Sequence, residues 1–237
     1  MKKPVEISVL IPTYKDTKLE ILTAIQKIKQ FLKKNRISYE IIISQNGSPD
    51  SGYLKIEDPS VHILSTEKKG LGIALQRAIL CSKGKYFYFM PADNPFHFTD
   101  LVEMLHLFPQ YDLLIGSKLH PNSIYKISIG RKILSYFQFL CTALLFPELK
   151  VRDVNGTLFA NTDKARHIIN SNVMDNSYFF SFQLVYLFRI HKLLISEVPV
   201  TYIKSNNKSS LNLFTDTLRY FISLIILRFH VPVKGAV

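Results

Sequence analysis

The sequence predicts an α/β protein with a mostly parallel central sheet flanked by helices, and three observations agree on this. Short β-branched or aromatic runs alternate with longer segments whose apolar residues recur at helical spacing. Three of the runs end in polar turns, at Pro12, Gln45 and Pro91. No internal repeat and no linker rich in glycine, serine or proline divides the chain. Such alternation is typical of parallel strands joined by crossover helices.

The elements follow from local composition. Runs dominated by β-branched, aliphatic or aromatic residues predict strands at residues 5–11, 39–44, 61–64, 86–90, 112–115, 157–160 and 194–203. Asp16 or Thr17 can cap the first helix, and a second helix follows Gly72. Helical spacing of apolar residues predicts further helices at residues 98–108, 129–146, 179–191 and 213–229.

The segment of residues 83–98, KGKYFYFMPADNPFHF, is the first candidate for the chemistry. Its strand stops at two prolines, which cannot continue a ladder, so Asp93 is presented at the carboxyl end of a buried strand. Ligands of open α/β sheets bind at that end, and a carboxylate there suits a metal or phosphate site. The alternative is an aspartate that only shapes the turn.

Charge narrows the class of partner. The net charge of +12 over 237 residues suits an anionic partner, such as a nucleotide, a lipid phosphate, an acidic bilayer surface or nucleic acid. No nucleic-acid-binding motif is present, so we expect no nucleic-acid partner. Two cysteines without a CxxC pattern fit a reducing compartment. The N-terminal apolar run is too short for a signal peptide, and no run reaches the roughly 20 apolar residues of a spanning helix.

Several stretches, taken in order, resemble family 2 glycosyltransferases of the GT-A fold, in the polyprenyl-phosphate branch that includes dolichol-phosphate mannose synthase-like enzymes. The stretches are residues 9–14 (VLIPTY), 40–43 (EIII) running into 48–50 (SPD), 69–75 (KGLGIAL), 90–93 (MPAD), 151–153 (VRD) with Gly156, 182–184 (FQL) and 197–200 (EVPV). The resemblance runs to about residue 211, and it implies a GT-A domain over residues 1–211.

The resemblance implies a nucleotide-sugar site built from the loops at the strand ends. The implied nucleotide-binding residues are Pro12, Thr13, Tyr14, Asp16, Asn46, Ser48, Lys69, Gly70 and Ala92. Gln45 and Asn46 stand where the family usually has two aspartates beside the base and ribose. An amide can still bond a base edge, because it offers both a donor and an acceptor. Backbone N–H groups of the Lys69–Gly70 loop can face phosphate.

The metal motif departs from the family pattern. The family's Asp-x-Asp reads Pro91-Ala92-Asp93 here, so only the second aspartate is present. The family implies Mg²⁺ or Mn²⁺, which need several oxygen ligands. Here the protein would supply only one carboxylate, and the diphosphate and water would supply the remaining ligands. Either Asp93 holds a weakly bound metal while basic side chains share the neutralisation of charge, or the chain binds without transferring.

The resemblance also implies acceptor-phosphate residues, namely Lys118, Arg131, Ser135 and Ser209, and it places Ser209 and Lys208 on a loop that closes over the donor. Arg131 and Ser135 are one helical turn apart and can face one phosphate, and Arg131 is also expected to act in catalysis together with Asp93. The alternatives are that Arg131 lies along the outside of an apolar helix and that Lys208 and Ser209 belong to a solvated loop. Arg152 is expected to pair with Asp153 or to order its loop, and Gln183 to lie near the acceptor or to be a satisfied core amide.

The helices at residues 129–146 and 213–229 are too apolar for ordinary surface helices and too interrupted to span a bilayer. With their flanking basic residues they suit a bilayer interface, and residues 212–237 are assigned as an apolar, basic membrane-interface helix. The alternative is burial against the sheet or in a homo-oligomer. The chain ends at Val237, so any membrane anchor is expected to be a separate partner.

These expectations combine into one leading function. The chain is predicted to be a glycosyltransferase that moves a sugar from a nucleotide-sugar to a polyprenyl (dolichyl or undecaprenyl) phosphate, by inverting displacement, as a peripheral protein on the cytoplasmic face of a membrane. An ionised phosphate needs no general base. A soluble or glycan acceptor would need one, and no well-placed Asp-Glu pair is evident. The remaining alternative is a catalytically impaired relative that binds nucleotide or lipid phosphate without transfer.

Overall fold

The computed structural model of the chain describes residues 4–14, 16–47, 56–203 and 213–229, the last of these with side chains from residue 217 onward. The strands are β1 (Ile7–Thr13), β2 (Tyr39–Asn46), β3 (Val61–Thr66), β4 (Tyr86–Phe89), β5 (Leu113–Ser117), β6 (Ile124–Lys126), β7 (Thr157–Asn161), β8 (Ile195–Pro199) and β9 (Thr201–Ile203). The helices are α1 (Lys18–Lys34), α2 (Leu71–Cys81), α3 (Phe98–Leu107), α4 (Ile129–Leu145), α5 (Thr162–Ser171), α6 (Phe179–Ile190) and α7 (Leu213–Phe229).

Seven of these strands form one sheet in the order β3-β2-β1-β4-β7-β5-β8. β1 pairs in parallel with β2 and β4, β2 pairs in parallel with β3, and β5 pairs in parallel with β8. Only β7, between β4 and β5, is antiparallel to its neighbours among the strands described. The predicted α/β class with a mostly parallel sheet is confirmed.

Three features differ from the sequence-based expectation: β6 and α5 were not predicted, and one predicted strand is divided. The strand predicted over residues 194–203 is divided, because β8 pairs with β5 while β9 pairs with β6 in a separate two-stranded sheet. Pro199 closes β8, since it has no N–H for the ladder, and the Val200 N–H donates instead to Ser123 Oγ at 2.9 Å. Helix α5 was not predicted; Asn161 caps it by accepting a hydrogen bond from the Lys164 N–H at 3.0 Å.

Local sequence explains the first crossover helix. Thr17 and Glu20 form a capping box at the start of α1, with the Glu20 N–H donating to Thr17 Oγ1 and the Thr17 N–H donating to Glu20 Oε2. The apolar side of α1 is buried against one face of the sheet, together with α3. The opposite face is covered by α2, α5 and α6, and α6 is buried around most of its circumference.

Helices α4 and α7 differ from these core helices. Of α4 only Thr142 is buried, whereas Ile129 and Leu144 are 76% and 82% exposed. α7 buries one side, through Tyr220, Leu224 and Leu227. None of the helices within the described ranges is long and apolar enough to cross a membrane.

Candidate active site

Asp93 lies in a tight turn directly after β4. The Asn94 N–H donates to the Pro91 carbonyl at 2.9 Å, so that Ala92 and Asp93 are the two central residues of the turn. Ala92 is buried and Asp93 is exposed. Because β1, β2 and β4 are parallel, the turn shares one edge of the sheet with the ends of β1 and β2. The expected position of Asp93 at the carboxyl end of a strand agrees with this geometry.

Asn46 connects three loops at this edge. Its amide nitrogen donates to the Thr13 carbonyl at 3.0 Å, and its amide oxygen accepts the Gly70 N–H at 3.1 Å. The Gly70 N–H was expected to face phosphate, but here Asn46 already takes up this donor. Gly70 has φ +154°, and a Cβ atom there would lie 2.1 Å from the Asn176 carbonyl oxygen. Only glycine fits this approach of two backbones.

Tyr14 and Lys69 line the same crevice. The Lys69 Nζ lies 4.6 Å from the centroid of the half-buried Tyr14 ring, a cation–π distance. The Tyr14 N–H donates to Asp16 Oδ2 at 2.7 Å. A Cβ atom at Gly47 would lie 3.0 Å from the Tyr14 ring. The residues predicted to border the nucleoside therefore lie together, while Ser48 falls outside the described residues.

Gln45, at the end of β2, carries an unused donor. Its side-chain oxygen accepts a hydrogen bond from Ser65 Oγ at 3.2 Å. The whole residue is only 2% exposed, and its side-chain nitrogen is buried without a hydrogen-bond partner among the described residues. A buried donor without an acceptor costs about 1–3 kcal/mol, so a ligand that accepts this hydrogen bond would be favoured.

The charges of Asp16 and Asp93 act on one another. Burial raises the pKa of the Asp16 carboxyl, the hydrogen bond from the Tyr14 N–H lowers it, and the negative charges of Glu20 and Asp93 raise it further. Within the described ranges, no cluster of three or more His, Cys, Asp or Glu side chains could hold a metal ion. A cation at Asp93 would therefore take most of its ligands from a bound diphosphate and water.

Lys118 follows β5 and forms a buried ion pair. Its Nζ lies 3.0 Å from Asp153 Oδ2 and donates to the Asn155 carbonyl at 2.9 Å. The same carboxylate oxygen accepts the Lys118 N–H at 2.8 Å. Arg152 and Asp153 were expected to pair with each other or to order their loop. Pairing is wrong, because Arg152 is exposed and Asp153 faces Lys118, whereas Asp153 does order the loop by accepting the Asn155 N–H at 3.2 Å. The charge of Lys118 is thus already balanced by the protein.

Arg131 and Ser135 lie on the first two turns of α4. Ser135 Oγ is 3.0 Å from the Tyr125 hydroxyl. In the part of the chain that the structure describes, no carboxylate lies within ion-pair distance of Arg131. Of the two cations predicted at the acceptor phosphate, only Arg131 therefore has a charge that a described carboxylate does not balance.

Tyr125 and Tyr202 complete the site, and sequence reasoning missed both. Burial raises the pKa of Tyr202 to about 12, with the charge of Asp93 raising it and that of Arg131 lowering it. The Lys118 Nζ lies 5.7 Å from the Tyr202 ring centroid. The Lys118 ammonium therefore lies over the Tyr202 ring, and the charges of Asp93 and Arg131 both act on its phenol. The sequence signal was weak, since each tyrosine is the middle residue of a three-residue strand.

Two further expectations are resolved differently. Gln183 is a satisfied core amide, whose oxygen accepts the Asp175 N–H at 2.6 Å and whose nitrogen donates to the Val173 carbonyl at 2.8 Å. Ser209, predicted at the acceptor phosphate, and Lys208, predicted with it on a loop that closes over the donor, lie outside the described residues.

Comparison with known proteins adds the family. The sequence model of Glycosyl transferase family 2 matches residues 8–159. The dolichyl-phosphate beta-glucosyltransferase of Dictyostelium discoideum is 27% identical over 96% of this chain and 76% of its own length. The enzyme of the same name from Drosophila melanogaster is 29% identical over 82% of this chain and 66% of its own length.

Solved structures agree on the fold. Mannosyl-3-phosphoglycerate synthase from Rubrobacter xylanophilus superimposes with a TM-score of 0.68 at 13% identity, over 98% of this chain and 78% of that protein. TarS residues 1–349 of S. aureus, in a complex with UDP-GlcNAc, superimpose with a TM-score of 0.54 at 15% identity, over 98% of this chain and 69% of that protein. The GT-A fold and the family resemblance predicted from the sequence are confirmed. The chain belongs to glycosyl transferase family 2 and is a glycosyltransferase.

Proposed function

We propose that the chain transfers a sugar from a nucleotide-sugar to a polyprenyl phosphate of the dolichyl-phosphate type. The observation that carries this proposal is the position of Tyr202, whose strand β9 is hydrogen-bonded to the segment after the Asp93 turn and pairs with β6, the strand before α4. Two anionic groups must approach each other for such a transfer, and the charges of Asp93 and Arg131 both act on this tyrosine, with the Lys118 ammonium over its ring. The likeness to dolichyl-phosphate glucosyltransferases over most of the chain supports the same acceptor.

The donor occupies the crevice at the ends of β1, β2 and β4. Pro12, Thr13, Tyr14, Asp16 and Asn46 border the nucleoside. Ser48, which lies outside the described residues, is assigned to the same site by the family resemblance alone. Lys69, Gly70 and Ala92 lie beside the diphosphate. The amide nitrogen of Gln45 donates to a carbonyl or ring nitrogen of the base, which gives this buried donor an acceptor.

Asp93 is the residue that would hold a divalent cation at the diphosphate end of the donor. Mg²⁺ and Mn²⁺ accept such a mixed set of one carboxylate, phosphate oxygens and water. When bound, the cation neutralises the negative charge that develops on the departing diphosphate. The chain's own part is to present the exposed Asp93 carboxylate from a fixed turn.

The acceptor phosphate binds at the start of α4. Arg131 provides a charge unbalanced among the described side chains, and Ser135 provides a hydroxyl oriented by Tyr125. Ser209, which lies outside the described residues, is assigned to the same phosphate by the family resemblance alone. The bond between the anomeric carbon and an acceptor-phosphate oxygen forms as the bond to the donor diphosphate breaks. The electron pair of the broken bond leaves on the nucleoside diphosphate, and attack from the opposite side inverts the anomeric centre. The phosphate is already ionised, so no base removes a proton.

Helices α4 and α7 bring this site to the cytoplasmic face of a membrane. Their large exposed apolar side chains are Ile129, Ile133, Tyr136, Phe137, Leu140 and Leu144 on α4, and Leu218, Ile222, Ile225, Ile226 and Phe229 on α7. The Phe137 and Phe221 rings lie 5.4 Å apart and join the two helices. Arg131, Lys132 and Arg219 add positive charge for anionic lipids, whereas Arg228 pairs with Glu148 at 2.8 Å. Of the predicted interface segment of residues 212–237, the structure describes residues 213–229, and these contribute to the proposed membrane surface.

A transfer assay tests the proposed reaction. Purified protein, a short polyprenyl phosphate, a panel of radiolabelled nucleotide-sugars and Mg²⁺ or Mn²⁺ should yield a labelled product that partitions into chloroform. Arg131→Gln and Asp93→Asn should each lower the rate at least about 100-fold, as loss of a charge that stabilises the transition state does. Arg152→Gln is the matched control: it removes an exposed arginine outside the site and should leave the rate unchanged. Nucleotide binding without any product from the whole panel would replace transfer by a purely binding function.

A vesicle assay tests the membrane surface separately. Ile133→Asp, on the exposed side of α4, should weaken sedimentation with phosphatidylcholine–phosphatidylserine vesicles about 10-fold or more, because it removes buried apolar area from the bilayer interface. Leu19→Asp places the same charge on an exposed leucine of α1 and should have no effect. A dimer in sedimentation velocity that Ile133→Asp dissociates, without vesicle binding by the unmodified chain, would assign the surface to a second copy instead.

A further inference from the structure

Tyr202 sits where the two halves of the site are joined. Its strand β9 pairs with β6, in which Tyr125 lies opposite Tyr202. On the other side β9 holds the segment after Asp93, since the Ile203 N–H donates to the Pro95 carbonyl at 2.9 Å and the His97 N–H donates to the Thr201 carbonyl at 3.1 Å. Residue 202 is thereby fixed between the Asp93 turn and the strand that leads into α4.

The Tyr202 ring is held on three sides. The Phe96 ring packs edge-on at a centroid distance of 5.0 Å, and the Tyr125 ring does so at 5.5 Å. The Lys118 ammonium lies over the ring at 5.7 Å. These contacts use the ring and not the hydroxyl. Phenylalanine at this position would therefore keep all of them.

The Tyr202 hydroxyl has no such role in the fold. Among the described residues, no group forms a hydrogen bond with it, although the side chain is half-buried. A tyrosine is protonated at neutral pH, and burial raises the pKa of this phenol further, to about 12, so the group is a neutral O–H donor. The charges of Asp93, Arg131 and Asp153 act on it, and the first two are those proposed to face the donor diphosphate and the acceptor phosphate.

We propose that the Tyr202 hydroxyl donates a hydrogen bond to a phosphate oxygen of the reacting pair, which makes Tyr202 a substrate-contacting residue of the transfer. This inference rests on the proposed function and deepens it. Lys118 is balanced by Asp153, so Arg131 is the one described cation proposed at the acceptor phosphate whose charge no described carboxylate balances, and a neutral donor adds a hydrogen bond there without another charge. Phosphate oxygens accept several hydrogen bonds at once. The phosphate can belong to the donor or to the acceptor.

Tyr202→Phe removes the hydroxyl and retains the ring. Loss of a hydrogen bond to a charged group predicts that kcat/KM for transfer falls about 10- to 100-fold. Two measurements distinguish a contact with the donor phosphate from one with the acceptor phosphate. Weaker binding of nucleoside diphosphate by Tyr202→Phe assigns the contact to the donor. A higher KM for the polyprenyl phosphate with an unchanged nucleotide Kd assigns it to the acceptor. Unchanged kcat, KM and Kd would overturn the inference.

Two controls keep the result interpretable. Tyr39→Phe removes the hydroxyl of a half-buried tyrosine at the start of β2, at the opposite edge of the sheet, and should leave every constant unchanged. Thermal unfolding of Tyr202→Phe should match that of the unmodified chain, because the ring contacts remain. If the unmodified chain transfers no sugar, this result refutes the proposed reaction but not the proposed contact of Tyr202 with phosphate. Calorimetry with nucleoside diphosphate and with inorganic phosphate then still tests Tyr202, and equal affinities in Tyr202→Phe and the unmodified chain would refute the contact.

Discussion

Replacing Asp153 by asparagine should destabilise the fold by about 3–5 kcal/mol, which is the usual cost of removing one partner from a buried ion pair. Lys118 and Asp153 have only 12% and 7% of their side-chain surface exposed. Asp153→Asn keeps the shape of the side chain and removes its charge. The Lys118 ammonium would then remain buried beside a neutral amide.

The hydrogen bonds at Asp153 give a similar magnitude. Its carboxylate accepts hydrogen bonds from the Lys118 N–H, the Lys118 ammonium and the Asn155 N–H. An asparagine can accept on only one of its two side-chain atoms, so at least one of these interactions is lost, and each such bond to a charged group contributes about 1.5–3 kcal/mol. A domain is stable by only about 5–15 kcal/mol in total, so the loss will be large enough to measure.

Urea denaturation followed by circular dichroism measures this effect. Asp153→Asn, Lys118→Met and the double variant form a thermodynamic cycle, and the double variant should be more stable than the sum of the single losses predicts. Asp163→Asn is the control, because Asp163 pairs with Arg166 at 2.9 Å but is 84% exposed, and it should cost less than about 1 kcal/mol. Additive losses in the cycle would show that Lys118 and Asp153 do not depend on each other, and the reasoning would fail.

Three further predictions concern single positions. Gly130→Ala should raise the free energy of unfolding by about 0.5–1 kcal/mol, because a Cβ atom there meets nothing within 4 Å and alanine favours the helix; a loss measured in urea would contradict this. Gln45→Met should change the free energy of unfolding by less than about 1 kcal/mol, because the Gln45 amide nitrogen has no hydrogen-bond partner among the described residues. It should weaken nucleoside diphosphate binding about 10-fold in calorimetry, because the proposed hydrogen bond from this nitrogen to the base is lost. Unchanged affinity would exclude that contact. The pKa of Asp16 in the folded protein is raised above 3.8, so ionisation of this carboxyl lowers the free energy of unfolding as the pH rises through the native pKa. Asp16→Asn should therefore have the same free energy of unfolding as the unmodified chain below pH 3.8 and a higher one at neutral pH. A difference between the two proteins that stays constant over this pH range would refute the reasoning.

Structure could be predicted from the sequence where the residues of a single strand or turn determine its conformation. β1 and β2 were recognisable because long β-branched runs end in polar turns, and the Asp93 turn because two prolines forbid a strand there. Their grouping at one edge followed from parallel pairing alone. Local pattern was enough for these features.

Contacts between distant residues could not be predicted in the same way. Lys118 and Asp153 are 35 positions apart, and the pairing of Tyr125 with Tyr202 requires β9 to leave the main sheet after Pro199. The antiparallel direction of β7 depends on how the chain returns after α4, which local composition does not encode. These arrangements result from packing, and a single sequence carries little trace of them.

The close backbone approach at Gly70 affects how mutational data on this protein should be interpreted. A survey of every single substitution would find Gly70 as intolerant as a core position, because any side chain there would collide with the Asn176 carbonyl oxygen. Such depletion would arise from collision between two backbones and would carry no information about chemistry. Positions such as Tyr202, where a ring is kept and one oxygen is lost, are therefore the ones at which a functional survey can separate catalysis from folding.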